Sequence, residues 1–271
     1  MLTTPTVLLV GGLDPGGQAG LAADLEVCAL RGAQGRPVVA ARTAQSDGKW
    51  YGAWPTAPAE FAATLDAALA GSCPRAGKTG MLATLETAQH IARTATERRI
   101  ALVVDPLLRT TSGGWMWQDP APEGEPDGYG SDTAQPRVRS MFWNDLLPAC
   151  AVVTPNWPEL AWLVDAPLAT DLDEALAQAQ HLPCPVLLKG GHAPLAWRGQ
   201  DFVIAGGAVH PLPSKLGWPP RPDGTPSNLR GTGCRLATAL AIELAKGTPL
   251  LPAAAHACEW LDQWAMAKLL P

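Results

Sequence analysis

Charge is sparse in this chain. Asp, Glu, Lys and Arg make up 17% of its 271 residues, and 20 basic against 25 acidic side chains leave a net charge of −5. A nucleic-acid surface asks for a basic face, which this balance does not offer. It does not exclude a phosphorylated small molecule, which a few local cations and backbone amides can hold. The longest apolar runs are only strand-sized, so no segment is expected to span a bilayer. No basic residue precedes Arg31, so no charged stretch leads into an apolar one and no secretory signal is expected. The six cysteines (Cys28, Cys73, Cys150, Cys184, Cys234 and Cys258) form no C-x-x-C pair. A zinc site or a disulfide framework is therefore not expected. A reducing, cytoplasmic setting fits, with most cysteines buried as small hydrophobes. The chain has no internal repeat.

What the chain does have is apolar material. Hydrophobic residues reach 47%, enough for a sizeable core in one large α/β domain or two small ones. Short apolar runs read as buried strands at Thr6–Val10, Pro37–Ala41, Ile100–Val104, Ala151–Thr154 and Pro185–Leu188. Between them, helical spacing appears at Leu21, Leu25, Cys28 and Ala29, at Phe61, Leu65 and Leu69, and from about Leu85 to Arg98. Alternating strands and helices predict an α/β fold, a mainly parallel sheet with helices on both faces. Each polar motif begins where a strand ends. Ligands in such sheets bind at the carboxyl ends of strands, so Gly12, Asp105, Asn156 and Lys189 are expected on one rim. Two stretches break the pattern. Residues 113–137, rich in Gly, Pro and acidic residues, read as an irregular surface insertion. Residues 213–230, with five prolines, read as a long loop.

The strongest local motif is Arg230-Gly231-Thr232-Gly233-Cys234, which opens the helical run Leu236, Leu240, Leu244. Glycines let backbone amides approach a ligand, and a helix amino terminus favours an anion such as a phosphoryl group in transfer. The same residues can also form only a tight turn into a helix. Cys234 follows the glycines directly. A helix amino terminus lowers a thiol pKa, so it can serve as a base or help close the anion hole; a buried, inert cysteine is the plainer alternative.

Taken in order along the chain, these motifs resemble the hydroxymethylpyrimidine and phosphomethylpyrimidine kinases of the ribokinase-like superfamily. The resemblance runs through Gly11-Gly12-Leu13-Asp14-Pro15-Gly16-Gly17-Gln18-Ala19-Gly20, Ala23-Asp24-Leu25, Thr43-Ala44-Gln45 and Lys78-Thr79-Gly80-Met81-Leu82. It continues through Asp105-Pro106, Thr154-Pro155-Asn156-Trp157-Pro158-Glu159, Leu188-Lys189-Gly190-Gly191-His192 and Gly231-Thr232-Gly233-Cys234. The cysteine after Gly-Thr-Gly separates this family from most relatives, pyridoxal kinases included. Departures are Gly16 for serine, Gln18 for glycine, Ala237 for serine, and Arg230 and Arg235 where His and Thr are more usual.

The resemblance implies one ribokinase-like kinase domain across residues 1–271. It also implies Mg-ATP as phosphoryl donor, a hydroxymethylpyrimidine or its phosphate as acceptor, no nucleic-acid or membrane partner, and a homodimer. Gly12, Asp24, Gln45, Met81 and Leu107 would bind the ring. Gly231, Thr232, Gly233 and Cys234 would act at the transferred group. Lys189, Asn156 and Glu159 would meet ATP or phosphate, and Asp105 with Glu159 would hold Mg²⁺ through water. Arg235, a departure from the family, is expected to contact a phosphate on separate grounds: a cation in the first turn of a helix opposes the macrodipole, and a bound anion would offset that cost. Plainer roles exist for several of them: core packing for Met81 and Leu107, a solvated strand end for Gln45 and Lys189, a helix first turn for Glu159, and a stem lying along the helix for Arg235. Two competing functions are a pyridoxal-type vitamin kinase and a non-catalytic ligand-binding protein on the same fold.

Overall fold

The structure, a computed structural model, describes residues 4–46, 49–109, 114–118, 134–213 and 229–269. The described residues form one nine-stranded sheet. In chain order the strands are β1 (Thr6–Leu13), β2 (Gln34–Ser46), β3 (Lys49–Pro55), β4 (Ala76–Thr79), β5 (Ala101–Val104), β6 (Cys150–Val153), β7 (Val186–Leu188), β8 (Phe202–Ala205) and β9 (Ala208–Pro211). Their spatial order is β3-β2-β1-β4-β5-β6-β7-β8-β9. Strands β2, β1, β4, β5, β6 and β7 run parallel, while β3 at one edge and β8 and β9 at the other are antiparallel. The parallel centre matches the expected α/β architecture.

The alternation of β1 explains its central place. Val7 and Leu9 face one side and Leu8 and Val10 the other, and all four are fully buried. The Val7/Leu9 face packs on Leu21 and Val27 of α1 (Gly20–Leu30), Leu236 and Leu240 of α8 (Thr232–Ala245) and Ala257 and Leu261 of α9 (Leu250–Leu269). The Leu8/Val10 face packs on Phe61 and Leu65 of α2 (Pro58–Leu69) and Ile91 of α3 (Leu85–Arg98). Leu160 of α6 (Trp157–Leu163) belongs to the same cluster. Burying each such side chain contributes about 1.5–3 kcal/mol, so a strand covered on both faces is strongly fixed. Strand β1 has β2 on one side and β4 on the other, so the order of the chain reverses there. Such a switch point opens a crevice outside the carboxyl ends of the strands.

The insertion read at residues 113–137 requires correction. Trp115, Met116 and Trp117 are buried members of the main core. Trp117 stacks edge-on against Phe142 at 5.5 Å between ring centroids, and its Nε1 donates to Leu107 O at 3.1 Å. From Ala134 the chain is helical: α4 (Ala134–Met141), a π-helical segment Phe142–Leu146 and α5 (Leu147–Ala149). Remaining helix α7 (Leu172–Gln180) is capped by Asp171, whose side chain accepts from Glu174 N at 2.9 Å. Residues 119–133, and most of the proline-rich stretch read at 213–230, lie outside the described residues. The cysteines also divide differently from expectation: Cys28, Cys234 and Cys258 are buried, Cys150 and Cys184 half-buried and Cys73 exposed. Among the described residues no helix is long and apolar enough to cross a membrane.

Candidate active site

The carboxyl ends of the parallel strands open into one cleft of about 1120 Å³. Strand β1 runs on through Gly11 and Gly12 into a loop folded around Asp14. The Asp14 carboxylate accepts the amides of Gly16 at 3.0 Å, Gln18 at 3.2 Å and Ala19 at 3.1 Å. The loop then passes tightly over the strand. At Gly20 (φ +58°) a Cβ would lie 2.3 Å from Gly12 O, so only glycine fits. Beside it, Thr43 Oγ1 donates to Leu13 O at 3.0 Å, and Gln45, two residues further along β2, lines the cleft.

The floor comes from β4 and β5. Lys78 lines the cleft with its side chain only 1% exposed, and its Nζ donates to both oxygens of Asp24 at 3.1 and 2.9 Å. Thr238 Oγ1 donates to the same carboxylate at 2.7 Å. Burial pulls the Lys78 pKa down, but the charges of Asp24, Cys234 and Asp105 more than offset it and hold the ammonium well above its ordinary range. For Asp24, burial pushes upward while Lys78 and Thr238 pull downward, and the upward push is the larger. The two directions pull the proton opposite ways. Three hydrogen bonds from two donor groups to one carboxylate favour the ion pair, with the proton on Lys78.

On the far side of β5 stands a second, half-buried cation. Lys189, at the end of β7, lies between two carboxylates, with Nζ 2.8 Å from Asp105 Oδ1 and 3.5 Å from Glu159 Oε2. Burial opposes its charge, yet Asp105 and Glu159 raise its pKa. Glu159 is raised too, by burial first, against the pull of Lys189. Asn156 and Glu159 cap α6 reciprocally: Asn156 Oδ1 accepts from Glu159 N at 2.9 Å and Glu159 Oε2 from Asn156 N at 2.8 Å. The helix-first-turn role foreseen for Glu159 is thus real, and its carboxylate still lines the cleft. The second oxygen of Asp105, Oδ2, is buried and has no hydrogen-bond partner among the described residues.

The amino end of α8 closes the ring of elements. Gly231 caps the helix in the left-handed region (φ +71°). A Cβ at Gly233 would lie 3.4 Å from Lys189 Nζ and 3.9 Å from Asp105 Oδ2, so this end of the helix faces the second cation. Cys234 lines the same cleft as Gly20 and Lys78, and the Lys78 charge pulls its pKa down. The expected lowering of its pKa is not found. Burial dominates, Lys78 offsets it only in part, and the thiol is pushed up to about 11.

The amino end of α8, two lysines and the apolar side chains of Met81 and Leu107 thus share one cleft. A family model described as phosphomethylpyrimidine kinase matches residues 14–124 and 128–269 of the chain. The chain belongs to this family. A hydroxymethylpyrimidine/phosphomethylpyrimidine kinase of Synechococcus elongatus is 32% identical over 265 residues, covering 97% of the chain and 92% of that protein. A namesake in Streptomyces coelicolor is 33% identical over 263 residues, with 96% and 88% covered. A thiamine biosynthesis bifunctional protein of Geobacter sulfurreducens is 35% identical over 260 residues. The match takes in 94% of the chain but 48% of that protein, so the chain spans about half the length of this relative. Among solved structures, a phosphomethylpyrimidine kinase from Clostridium difficile gives a TM-score of 0.73 at 22% identity, covering 97% of the chain and 99% of that one. Pyridoxal kinase from Staphylococcus aureus gives 0.77 at 22% identity, with 97% and 89% covered. These likenesses establish the ribokinase-like fold.

Within this phosphomethylpyrimidine kinase cleft, Gly12, Gln45, Met81 and Leu107 line one part. Asn156, Glu159, Lys189, Gly231, Thr232, Gly233 and Cys234 line the rest. Three of the expected residues do not line the cleft. Asp24 is fully buried beneath the floor, where it pairs with Lys78 instead of meeting a ring. Arg235 faces away from the cleft. Its guanidinium pairs with Glu26 at 2.6 Å and lies over Trp264 at 4.4 Å, so a phosphate contact is not its role. Asp105 sits just under the cleft wall. Lys78 carries the charge that sequence reasoning left without a role; the available signal was a lysine inside the otherwise uncharged Ala76–Thr79 strand.

Proposed function

We propose that this protein transfers the γ-phosphoryl group of ATP to the hydroxymethyl oxygen of 4-amino-5-hydroxymethyl-2-methylpyrimidine, and then phosphorylates the monophosphate, in thiamine biosynthesis or salvage. The observation that carries this reading is the α8 amino end opening on the cleft beside both lysines, with Gly233 toward Lys189 and Asp105, and Cys234 lining the same cleft as Gly20 and Lys78. A transferred phosphoryl group held by the α8 amides lies between a nucleotide on the first side and an alcohol on the second.

The roles follow from chemistry. The Gln45 amide, both donor and acceptor, pairs with the aminopyrimidine edge, while Met81 and Leu107 supply apolar contact to the ring. Free amides at the start of α8 stabilise charge on the equatorial oxygens, and Lys189 adds a point charge. With its pKa pushed up to about 11, Cys234 is a thiol at neutral pH. It stands beside the alcohol as a weak donor and a wall of the anion hole, and a loose phosphoryl transition state asks little of a base. The unpartnered Asp105 Oδ2 and the cleft-facing Glu159 fit Mg²⁺. The described residues hold no group of three His, Cys, Asp or Glu that could bind a metal alone, so phosphate oxygens and water would complete its shell. Bound there, Mg²⁺ would supply charge neutralisation on the phosphates. The reading extends to a cytoplasmic homodimer acting on small molecules alone.

The test is incubation of the purified chain with Mg-ATP and the aminopyrimidine alcohol, followed by mass spectrometry for mono- and diphosphate. Formation of both products supports the proposal. Phosphorylation of pyridoxal in preference to the pyrimidine, or ADP formation without a phosphorylated ring, contradicts it.

A further inference from the structure

Arg235 lies in the first turn of α8, where a cation opposes the helix macrodipole. Its side chain is only 6% exposed, and its guanidinium is engaged on both edges. On one edge, Nε and Nη2 donate to Glu26 Oε2 at 3.2 and 2.6 Å. On the other, Nη1 donates to Gln18 O at 3.0 Å, to Arg230 O at 3.1 Å and, more weakly, to Gly231 O at 3.4 Å. Those carbonyls come from two loops. Gln18 belongs to the loop after β1, and Arg230 and Gly231 to the loop that opens α8. The loops touch, since a Cβ at Gly231 would lie 2.3 Å from Gln18 O. Each loop ends on the cleft: the first at Gly20 and the second at the α8 amides, with Gly20 and Cys234 both lining it.

We propose that Arg235 is a positioning residue that clasps the two loops through its Nη1 edge, and so fixes Gly20 beside Cys234 and the α8 amides against the transferred group. This rests on the kinase reading of the cleft. A planar fork with five N–H donors serves both edges at once; an ammonium is a compact point charge that serves one. The Glu26 edge and the Trp264 contact tie α1, α8 and α9 together and account for stability. The carbonyl edge accounts for geometry at the site.

Two variants separate the edges. Arg235→Lys keeps a cation for Glu26 and an aliphatic stem under Trp264 but releases the carbonyls. Glu26→Gln removes the ion pair and leaves the carbonyl bonds in place. Arg235→Lys is expected to lower kcat by about tenfold to a hundredfold, the effect of a small misplacement of reacting groups. Glu26→Gln is expected to lower Tm more than Arg235→Lys does while keeping kcat within about twofold, as for a change remote from the reacting groups. A second readout needs no turnover. Peptide-resolved iodoacetamide labelling of Cys234 should quicken by about tenfold in Arg235→Lys as the first loop loosens, and stay at the wild-type rate in Glu26→Gln. A kcat that simply follows Tm across both variants, or Cys234 labelling unchanged in Arg235→Lys, overturns the proposal. A wild-type chain without turnover would remove the kinase reading, and the labelling would still decide the role of Arg235.

Discussion

Lys78 and Asp24 form an ion pair closed to solvent, with Nζ 2.9 Å from Oδ2 and the two side chains 1% and 0% exposed. A buried pair need not stabilise a fold more than apolar residues of similar size would, but removing one partner strands the other. Lys78→Met should therefore cost about 3–5 kcal/mol in urea unfolding, and the double variant Lys78→Met/Asp24→Leu should regain most of that loss. Activity should stay low in both variants, because the cleft floor loses its cation. A single variant as mild as a surface substitution would show that water reaches the pair.

Lys189 holds two carboxylates at 2.8 and 3.5 Å and faces Gly233. Lys189→Met removes its charge from the phosphoryl site and should lower kcat by about a hundredfold to a thousandfold, as loss of an oxyanion donor does. Steady-state kinetics with ATP and the pyrimidine alcohol measure this. Near wild-type kcat with only a raised KM for ATP would confine Lys189 to nucleotide binding.

Burial sets a pH dependence. The Cys234 thiol is pushed from 9.0 to about 11 and that of Cys28 to about 12. Above about pH 9 the unfolded chain has released thiol protons that the folded chain keeps, so stability falls as pH rises from about 9 to about 12, the Cys234 share being complete by about 11, and is unaffected by these groups below that window. The variant Cys28→Ala/Cys234→Ala should lose less stability over this interval than wild type in urea titrations at each pH. Parallel losses in the two proteins would mean that the thiols are not shielded.

Trp117 joins the core to the cleft. It packs on Phe142 and donates to Leu107 O at 3.1 Å, and Leu107 lines the cleft. Trp117→Ala should cost about 3–5 kcal/mol by cavity formation. That lowers Tm by roughly 10 °C for a chain of this size. KM for the pyrimidine should rise with it, and unchanged Tm would return this stretch to the surface.

Much of the centre of the sheet was legible in the sequence because parallel strands are covered on both faces and read as apolar runs. Val7–Val10, Leu102–Val104 and Val186–Leu188 show this, and the polar motifs follow at their ends. Strands β3, β4, β8 and β9 were not legible: β3, β4 and β9 mix polar with apolar residues, and β8, though apolar, is only four residues long and lies beside the sheet edge. Trp115 and Trp117 were misread because Gly, Pro and acidic neighbours dominate the local composition, while burial is decided by Phe142 and Trp162, which lie far along the chain. The motif residues converge because spacing along a parallel sheet fixes the rim. The fate of Arg235 could not be read that way, since Glu26 and Trp264 approach it only through helix packing. The Cys234 thiol followed the same rule: helix position alone points to a lowered pKa, and burial, visible only in the fold, reversed it.

The most direct measurement is a competition assay of the purified chain with Mg-ATP, the aminopyrimidine alcohol and pyridoxal, run beside Gln45→Leu. The account predicts kcat/KM at least about tenfold higher for the pyrimidine in wild type. It further predicts a fall of about one to two decades for the pyrimidine alone in Gln45→Leu, the cost of leaving its polar edge unpaired. Equal or better phosphorylation of pyridoxal, or a Gln45→Leu variant with unchanged kcat/KM for the pyrimidine, would contradict it.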